Sequence, residues 1–386
     1  MNTRINKLAV IIVSALILFM ILDPDSSLEA SRSGLKIWWE SVFPALFPFL
    51  VACDVLIELG VAKWLGKLLN PIMRPVFRLP GSSGIVIAMG FTSGFPLGAV
   101  LTQRLFDEGL LTVSEAERLV CFTNNASPLF ILGVVGASLF NSPGVGIVLA
   151  FSHYFSNLLI GILMALSSKS SSVPFERIER HDTLSNTQKR VDSGFLLGTA
   201  IRNSIMSILS IGGFIIVFSV VTTALSKSLI LDGLSGLISL MGLTHSSGIG
   251  IVTGFFEMTL GAKSLAQGEG PLLERLLALS AVLAWSGISI QAQVISFVSK
   301  IPLRLSFYIK ARLLQIILSV FLTWVGYSIF KPSIAALALS SHAWPSFSAI
   351  SNLMATWLGL GLSLFILIFL FILSMIRKSP VFWHVP

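Results

Sequence analysis

The chain has 386 residues, of which 54% are hydrophobic and only 11% charged, with a mean hydropathy of +0.88. Roughly a quarter of the residues of a soluble domain are charged, so this composition excludes a water-soluble protein and makes lipid the solvent. The formal net charge of +8 does not signal nucleic acid, because the basic residues flank apolar spans instead of forming a stripe with interleaved aromatics.

About 20 apolar residues cross a bilayer. That length predicts eight spanning helices, at 8–22, 37–59, 115–139, 144–166, 195–225, 272–299, 305–330 and 349–376. The first follows Arg4 and Lys7 like a signal sequence, but Leu28, Glu29 and Ala30 make a poor cleavage site, so a retained anchor is expected. Cys53 and Cys121 fall inside apolar runs, where buried free thiols are expected. Two further apolar stretches, 82–106 and 249–267, are interrupted by Gly, Ser and Thr and read as re-entrant hairpins. The longest polar stretch, Ser167 to Asp192, reads as a loop. Seventeen basic residues, from Arg4 and Lys7 through Lys63, Arg78, Lys169, Arg190, Lys300, Arg304, Lys310 and Arg312 to Lys378, fall on one side of the membrane, against Arg32, Lys36, Lys227 and Lys331 on the other. By the charge bias of cytoplasmic loops, both termini are then cytoplasmic.

Internal repetition decides the architecture. Ser82 to Phe91 reads SSGIVIAMGF and Ser246 to Phe255 reads SSGIGIVTGF, with seven of ten positions identical. Leu97-Gly98-Ala99 answers Leu260-Gly261-Ala262, Glu108-Gly109 answers Glu269-Gly270, and Ser41 and Leu46 answer Ser204 and Leu209 at a constant offset of 163. Each half holds three full spans and one broken stretch. An odd number of crossings makes the second half enter from the opposite side, giving an inverted-topology repeat. The expected fold is therefore an all-α integral membrane protein of about eight transmembrane helices with two re-entrant hairpins. It forms a single transmembrane domain: an anchor helix (1–36), repeat 1 (37–166), a cytoplasmic loop and lead-in (167–199), repeat 2 (200–330) and a C-terminal helix and tail (331–386).

Non-helical backbone at membrane depth is tolerated only where protein or a water-filled cavity surrounds it. The expected tips carry Thr92, Ser93 and Gly94 in the first half and Glu257 in the second. Small residues that merely let helices approach closely account for the Gly and Ser; they do not account for a carboxyl between Phe256 and Met258, and an intramembrane carboxyl is a functional candidate by default. Its neighbour Lys263 reads as a snorkelling interfacial lysine. A second pair of breaks lies in the spans that follow. Ser114 to Glu117 has capping-box spacing, and the helix it starts meets Thr123, Asn124, Asn125, Ala126, Ser127 and Pro128. At the constant offset Thr123 aligns with Ser286 and Pro128 with Gln291, and Gln293 follows. These polar groups converge on a candidate solute site, with Asn124 and Asn125 as amide donors; the competing reading is that the two Asn only cap a broken helix. Broken-helix N-termini, with their free N–H groups, suit carboxylates.

At FTSGFPLGA (91–99), CFTNNASPLFILG (121–133) and TGFFEMTLGAKSLA (253–266) the chain resembles the sporulation integral membrane proteins of the YlbJ (SpoVV) family, within the nucleoside-recognition, or Gate, fold, and the resemblance covers nearly the whole chain. That fold is shared with concentrative nucleoside transporters, spore maturation proteins A and B and the membrane part of the ferrous iron transporter. Ala126 to Leu129 looks like the alanine-proline-leucine stretch after the nucleoside transporters' polar triplet, with Ser127 inserted and Thr123, Asn124 and Asn125 standing where those transporters have an acid-containing version. The resemblance implies movement of dipicolinic acid, pyridine-2,6-dicarboxylate, from the mother cell across the outer forespore membrane. A transporter of nucleosides or of another ion-coupled solute is the alternative, and a non-transporting scaffold, which needs no midplane polar groups in both halves, is a third. The cell membrane is the other candidate location, and oligomerisation is compatible with the sequence.

No enzyme is expected. Ser93 near His153 is one position off rhomboid spacing, and His153 reads as a packed histidine. His181, His342 and His384 form no metal cluster, and no phosphate-binding loop is present, so no cofactor is expected. The expected partners are a small-molecule substrate, a dicarboxylate by the resemblance, and the bilayer.

Overall fold

A computed structural model describes residues 7–167 and 193–339. The expected span at 349–376, most of the loop after Ser167, and His181, His342 and His384 lie outside the described residues. Among those described, all regular structure is helical.

The chain opens with the apolar α1 (Lys7–Leu22), and then turns sharply because Asp23 caps α2 (Pro24–Ile37), accepting a hydrogen bond from the Ser26 N–H with Pro24 at the first helical position. The two helices bend by 108°. A π-helical turn (Trp38–Val42) leads into α3 (Phe43–Glu58), followed by α4 (Val61–Phe77). Next come α5 (Ser83–Thr92) and α6 (Leu97–Asp107), then α7 (Val113–Thr123), a π-helical segment (Leu129–Leu139), and α8 (Pro143–Ser167). The second half runs α9 (Ser193–Ser226), α10 (Leu229–Ser239), α11 (His245–Phe256), α12 (Met258–Gln267), α13 (Leu272–Trp285), α14 (Gly287–Phe297) and α15 (Leu305–Leu339). The order in the two halves is the same: a lead helix, a short connector, a pair of short helices, a broken helix and a long closing helix.

The contacts between the halves are reciprocal. The closing helices α8 and α15 pack on each other; α7 packs on α15 as its counterpart α13 packs on α8; α6 packs on α14 as α12 packs on the π-helical segment after α7. The first pairing joins equivalent helices and the other two each occur twice with the partners exchanged, the pattern two units make across an approximate two-fold.

Four helices are long and apolar enough to cross a membrane, Pro143–Ser167, Leu196–Ser226, Leu272–Phe297 and Leu305–Ile329, and the bent α1–α2 pair makes a fifth if taken as one span. The stretches expected as spans at 37–59 and 115–139 are helical but interrupted, the first by the π-helical turn and the second between Thr123 and Leu129. The capping box of α7 lies two residues earlier than the Ser114–Glu117 spacing suggested. Thr112 is the cap and Glu115 its reciprocal partner; Glu117 points inward instead, 4% exposed, and is held by the Arg304 guanidinium at 2.6 Å. Cys53 and Cys121 are buried and free.

Candidate functional site

In each half the break between the two short helices sits on the break of the helix that follows. In the first half, α5 ends as the Thr92 hydroxyl donates back to the Ala88 carbonyl at 2.8 Å, and Gly94 takes a left-handed φ of 89°. Thr92 and Ser93 are half-buried, and a β-carbon on Gly94 would stand 2.9 Å from Cβ of Ser127. Gly90 and Gly98 flank the break; a β-carbon on either would fall 2.1 Å and 2.5 Å from the Thr123 carbonyl oxygen. Only hydrogen fits there. The small residues thus do perform the close packing that their size suggested.

Residues 123–127 are held almost entirely by side chains. The Asn124 amide accepts from the Ala99 N–H at 3.0 Å and donates to the Val120 carbonyl at 2.8 Å. Asn125 donates to the Phe122 carbonyl at 3.2 Å and accepts from the Asn157 amide. His153 Nε2 accepts from the Ala126 N–H at 3.2 Å, and the Tyr154 hydroxyl donates to the Ala126 carbonyl at 2.7 Å. Thr123 donates to the Leu119 carbonyl at 2.7 Å, and the Ser127 hydroxyl accepts from the Phe130 N–H at 3.2 Å. Thr123, Asn124 and Asn125 are fully buried, and their side chains serve the broken backbone in this conformation.

The second half solves the same problem with fewer groups. Glu257 is extended (φ −140°), and its carboxylate caps α12, accepting from the Leu260 N–H at 2.7 Å. Among the described residues no basic side chain pairs with it, and Lys263 is exposed on α12. Ser286 has a left-handed φ of 71° and a buried hydroxyl with no partner. Gly287 follows at φ 81°, and a β-carbon there would meet the Phe256 carbonyl and the Met258 N–H at 3.0 Å. Gln291 donates to the Trp285 carbonyl at 2.9 Å, and Gln293 is buried on the same helix. The candidate residues therefore form two clusters, Thr92 to Gly94 with Thr123 to Ser127, and Glu257 with Ser286 and Gln291. Among the described residues no hydrogen bond joins the clusters; they connect through the reciprocal α6–α14 and α12–π-helix contacts.

Sequence reasoning missed the polar face of α15. Arg312, Gln315, Ser319 and Thr323 are all buried, and their spacing of three and four puts them on one stripe. Thr323 and Ser319 close a hydroxyl chain with Ser280 of α13 at 2.9 Å and 2.8 Å. Arg312, counted above among the cytoplasmic charges, is 0% exposed; its guanidinium donates to the Asn124 carbonyl at 3.2 Å and to the Cys121 carbonyl. The spacing of the stripe was the signal, masked by the basic pair Lys310 and Arg312, which looks like a loop charge.

Comparison with known proteins places this geometry. Residues 39–174, which contain the first pair of breaks, match the family described as Gate, nucleoside recognition. The chain is 28% identical over 111 residues, 29% of this chain and 22% of the other, to an uncharacterised protein of Alkalihalophilus pseudofirmus. No solved structure matches it. It is 38% identical over 331 residues, 81% of each chain, to the sporulation integral membrane protein YlbJ of Bacillus subtilis. With that identity over four-fifths of each chain, the chain belongs to the YlbJ family of sporulation integral membrane proteins and carries a nucleoside-recognition, or Gate, region.

Proposed function

We propose that the protein is a transporter of a small organic anion, and that its solute is dipicolinic acid moved from the mother cell across the outer forespore membrane. The observation that carries transport is the pairing of breaks: in an apolar bundle, non-helical backbone meets non-helical backbone within each half, with Asn124 and Asn125 buried beside one pair and Ser286 and Gln291 beside the other. A scaffold has no use for such costly interior polarity. The reciprocal helix contacts support two halves inverted about an axis in the membrane, each with one re-entrant pair (α5–α6 and α11–α12), inside an eight-span domain with cytoplasmic termini. The solute-facing residues are Thr92, Ser93, Gly94, Thr123, Asn124, Asn125, Ser127, Glu257, Ser286, Gln291 and Gln293. The match described as nucleoside recognition favours a second reading, a nucleoside as solute.

Uptake into proteoliposomes containing the purified chain decides between them. Labelled dipicolinate should accumulate and labelled uridine should not; uridine uptake alone would establish the second reading, and uptake of neither would remove both. Cysteine-accessibility mapping tests the topology, since residues 63–78, in and just after α4, and 167–192 should label from the same side of the membrane.

A further inference from the structure

The charge buried deepest in the bundle has no counter-charge. Arg312 is fully buried, and among the described residues no carboxylate pairs with it. Glu117, on the neighbouring α7, is engaged by Arg304. Two carbonyl dipoles and the Tyr308 ring, 5.4 Å from the guanidinium carbon, are its surroundings, and its Nε–H has no partner. A buried cation in apolar surroundings demands an anion or a dense shell of acceptors, and here the shell is incomplete.

Further unpaired groups lie close by. Gln315 is one helical turn from Arg312, 0% exposed, with neither its amide nitrogen nor its oxygen bonded. Helix α15 runs parallel to α7, since Arg304 meets Glu117 while Arg312 meets Cys121 and Asn124. One more turn therefore brings Gln315 level with the break at 124–128. Across that break, His153 Nε2 accepts from the Ala126 N–H, so its proton resides on Nδ1, and that N–H is also unpartnered.

We propose that Arg312 and Gln315 form a carboxylate-binding point beside the first break, Arg312 supplying the charge and Gln315 the neutral donor. A guanidinium offers two parallel N–H bonds to a carboxylate, which a lysine cannot. This deepens the transport reading and rests on it for the identity of the solute, though the site itself is tested by binding alone.

The test is equilibrium dialysis of the purified full-length chain against pyridine-2,6-dicarboxylate, pyridine-2-carboxylate and the uncharged pyridine-2-carboxamide, with thermal unfolding recorded in parallel. The parent should bind both acids and not the amide. Gln315→Leu removes a group that bonds to nothing, so its melting temperature should stay level or rise, while its affinity for the acids should fall about tenfold or more. Arg312→Lys should weaken them further. Parent-like affinity in Gln315→Leu, or a parent that binds neither acid, overturns the proposal. If Arg312→Lys does not fold, Gln315→Leu decides alone. Binding that depends on both residues in a protein that carries no dipicolinate would sink the transport reading and leave the site standing; dipicolinate uptake unchanged in Gln315→Leu would do the reverse.

Discussion

The break after Thr123 and the break at Ser286 occupy equivalent places in the two halves and are closed by different means. The first spans several residues and is held by its own Asn124 and Asn125, by Asn157, His153 and Tyr154 of α8 and by Arg312 of α15. The second is confined to Ser286 and Gly287, using left-handed backbone and one side-chain bond, from the Gln291 amide to the Trp285 carbonyl; the facing break has its own cap in the Glu257 carboxylate. Substituting side chains for backbone partners makes the first break longer, more polar and dependent on distant helices. Substituting backbone geometry makes the second compact and local. The two halves thus hold an extended polar break and a compact one.

Five substitutions bear on that contrast. The largest effect is expected at Gly90, where an added methyl would lie 2.1 Å from the Thr123 carbonyl oxygen, whereas at Gly254 it would meet only the Val282 side chain at 2.6 Å. Gly90→Ala should destabilise by about 1–3 kcal/mol and Gly254→Ala by less, read from unfolding of the detergent-solubilised protein; equal losses would dissolve the distinction between the breaks. Asn125→Ala should cost about 1–2 kcal/mol because it removes the Asn125 bond to the Phe122 carbonyl and one of the two bonds of the Asn157 amide nitrogen, which keeps the His153 carbonyl, and a double-mutant cycle with Asn157→Ala should recover part of that loss. At the other break the sign should reverse. Ser286→Gly replaces a strained residue bearing an unpaired hydroxyl, and should stabilise by up to about 1 kcal/mol.

The smallest effect belongs to neither break and serves as a baseline. Asp23, at the turn after α1, receives a hydrogen bond from Lys227 at 2.6 Å, and that contact followed by the Ser26 bonds holds its carboxyl below the usual range. A lowered value means the contribution is present above the ordinary aspartate pKa and is lost as pH falls through the lower folded one. Asp23→Asn should therefore unfold slightly earlier than the parent at pH 7 and indistinguishably from it at strongly acid pH.

Most of the first break was legible in the sequence, because Asn-Asn-Ala-Ser-Pro cannot continue a lipid-facing helix and says so in its residue types. The second was found only through its alignment with the first, since Trp285-Ser286-Gly287 has few breaking residues and Ser286 reveals its left-handed backbone only in three dimensions. The long helices at 143–167, 196–226 and 305–329 followed from apolar length. Arg312 did not, because a sequence records a charge near a helix start without recording which way the helix faces. That the two Asn bond the carbonyls ending α7 follows from the capping reading the residue types allowed; their partners on other helices, the Ala99 N–H of α6 and the Asn157 amide of α8, were not legible.

The fit of Gly90 and Gly98 against one carbonyl has a kinematic consequence. Two helices seated on a third at separations that admit no methyl group cannot slide or rotate past it, so α5, α6 and α7 form one rigid body. Gly261 lies against the backbone of Gly254, and Gly287 against that of residues 256–258, which locks α11, α12 and the α13–α14 junction in the same way. Each half then has no internal degree of freedom at its core. Any motion that exposes the interior first to one side of the membrane and then to the other is displaced to the seams between the halves, α6 on α14, α12 on the π-helical segment and α8 on α15.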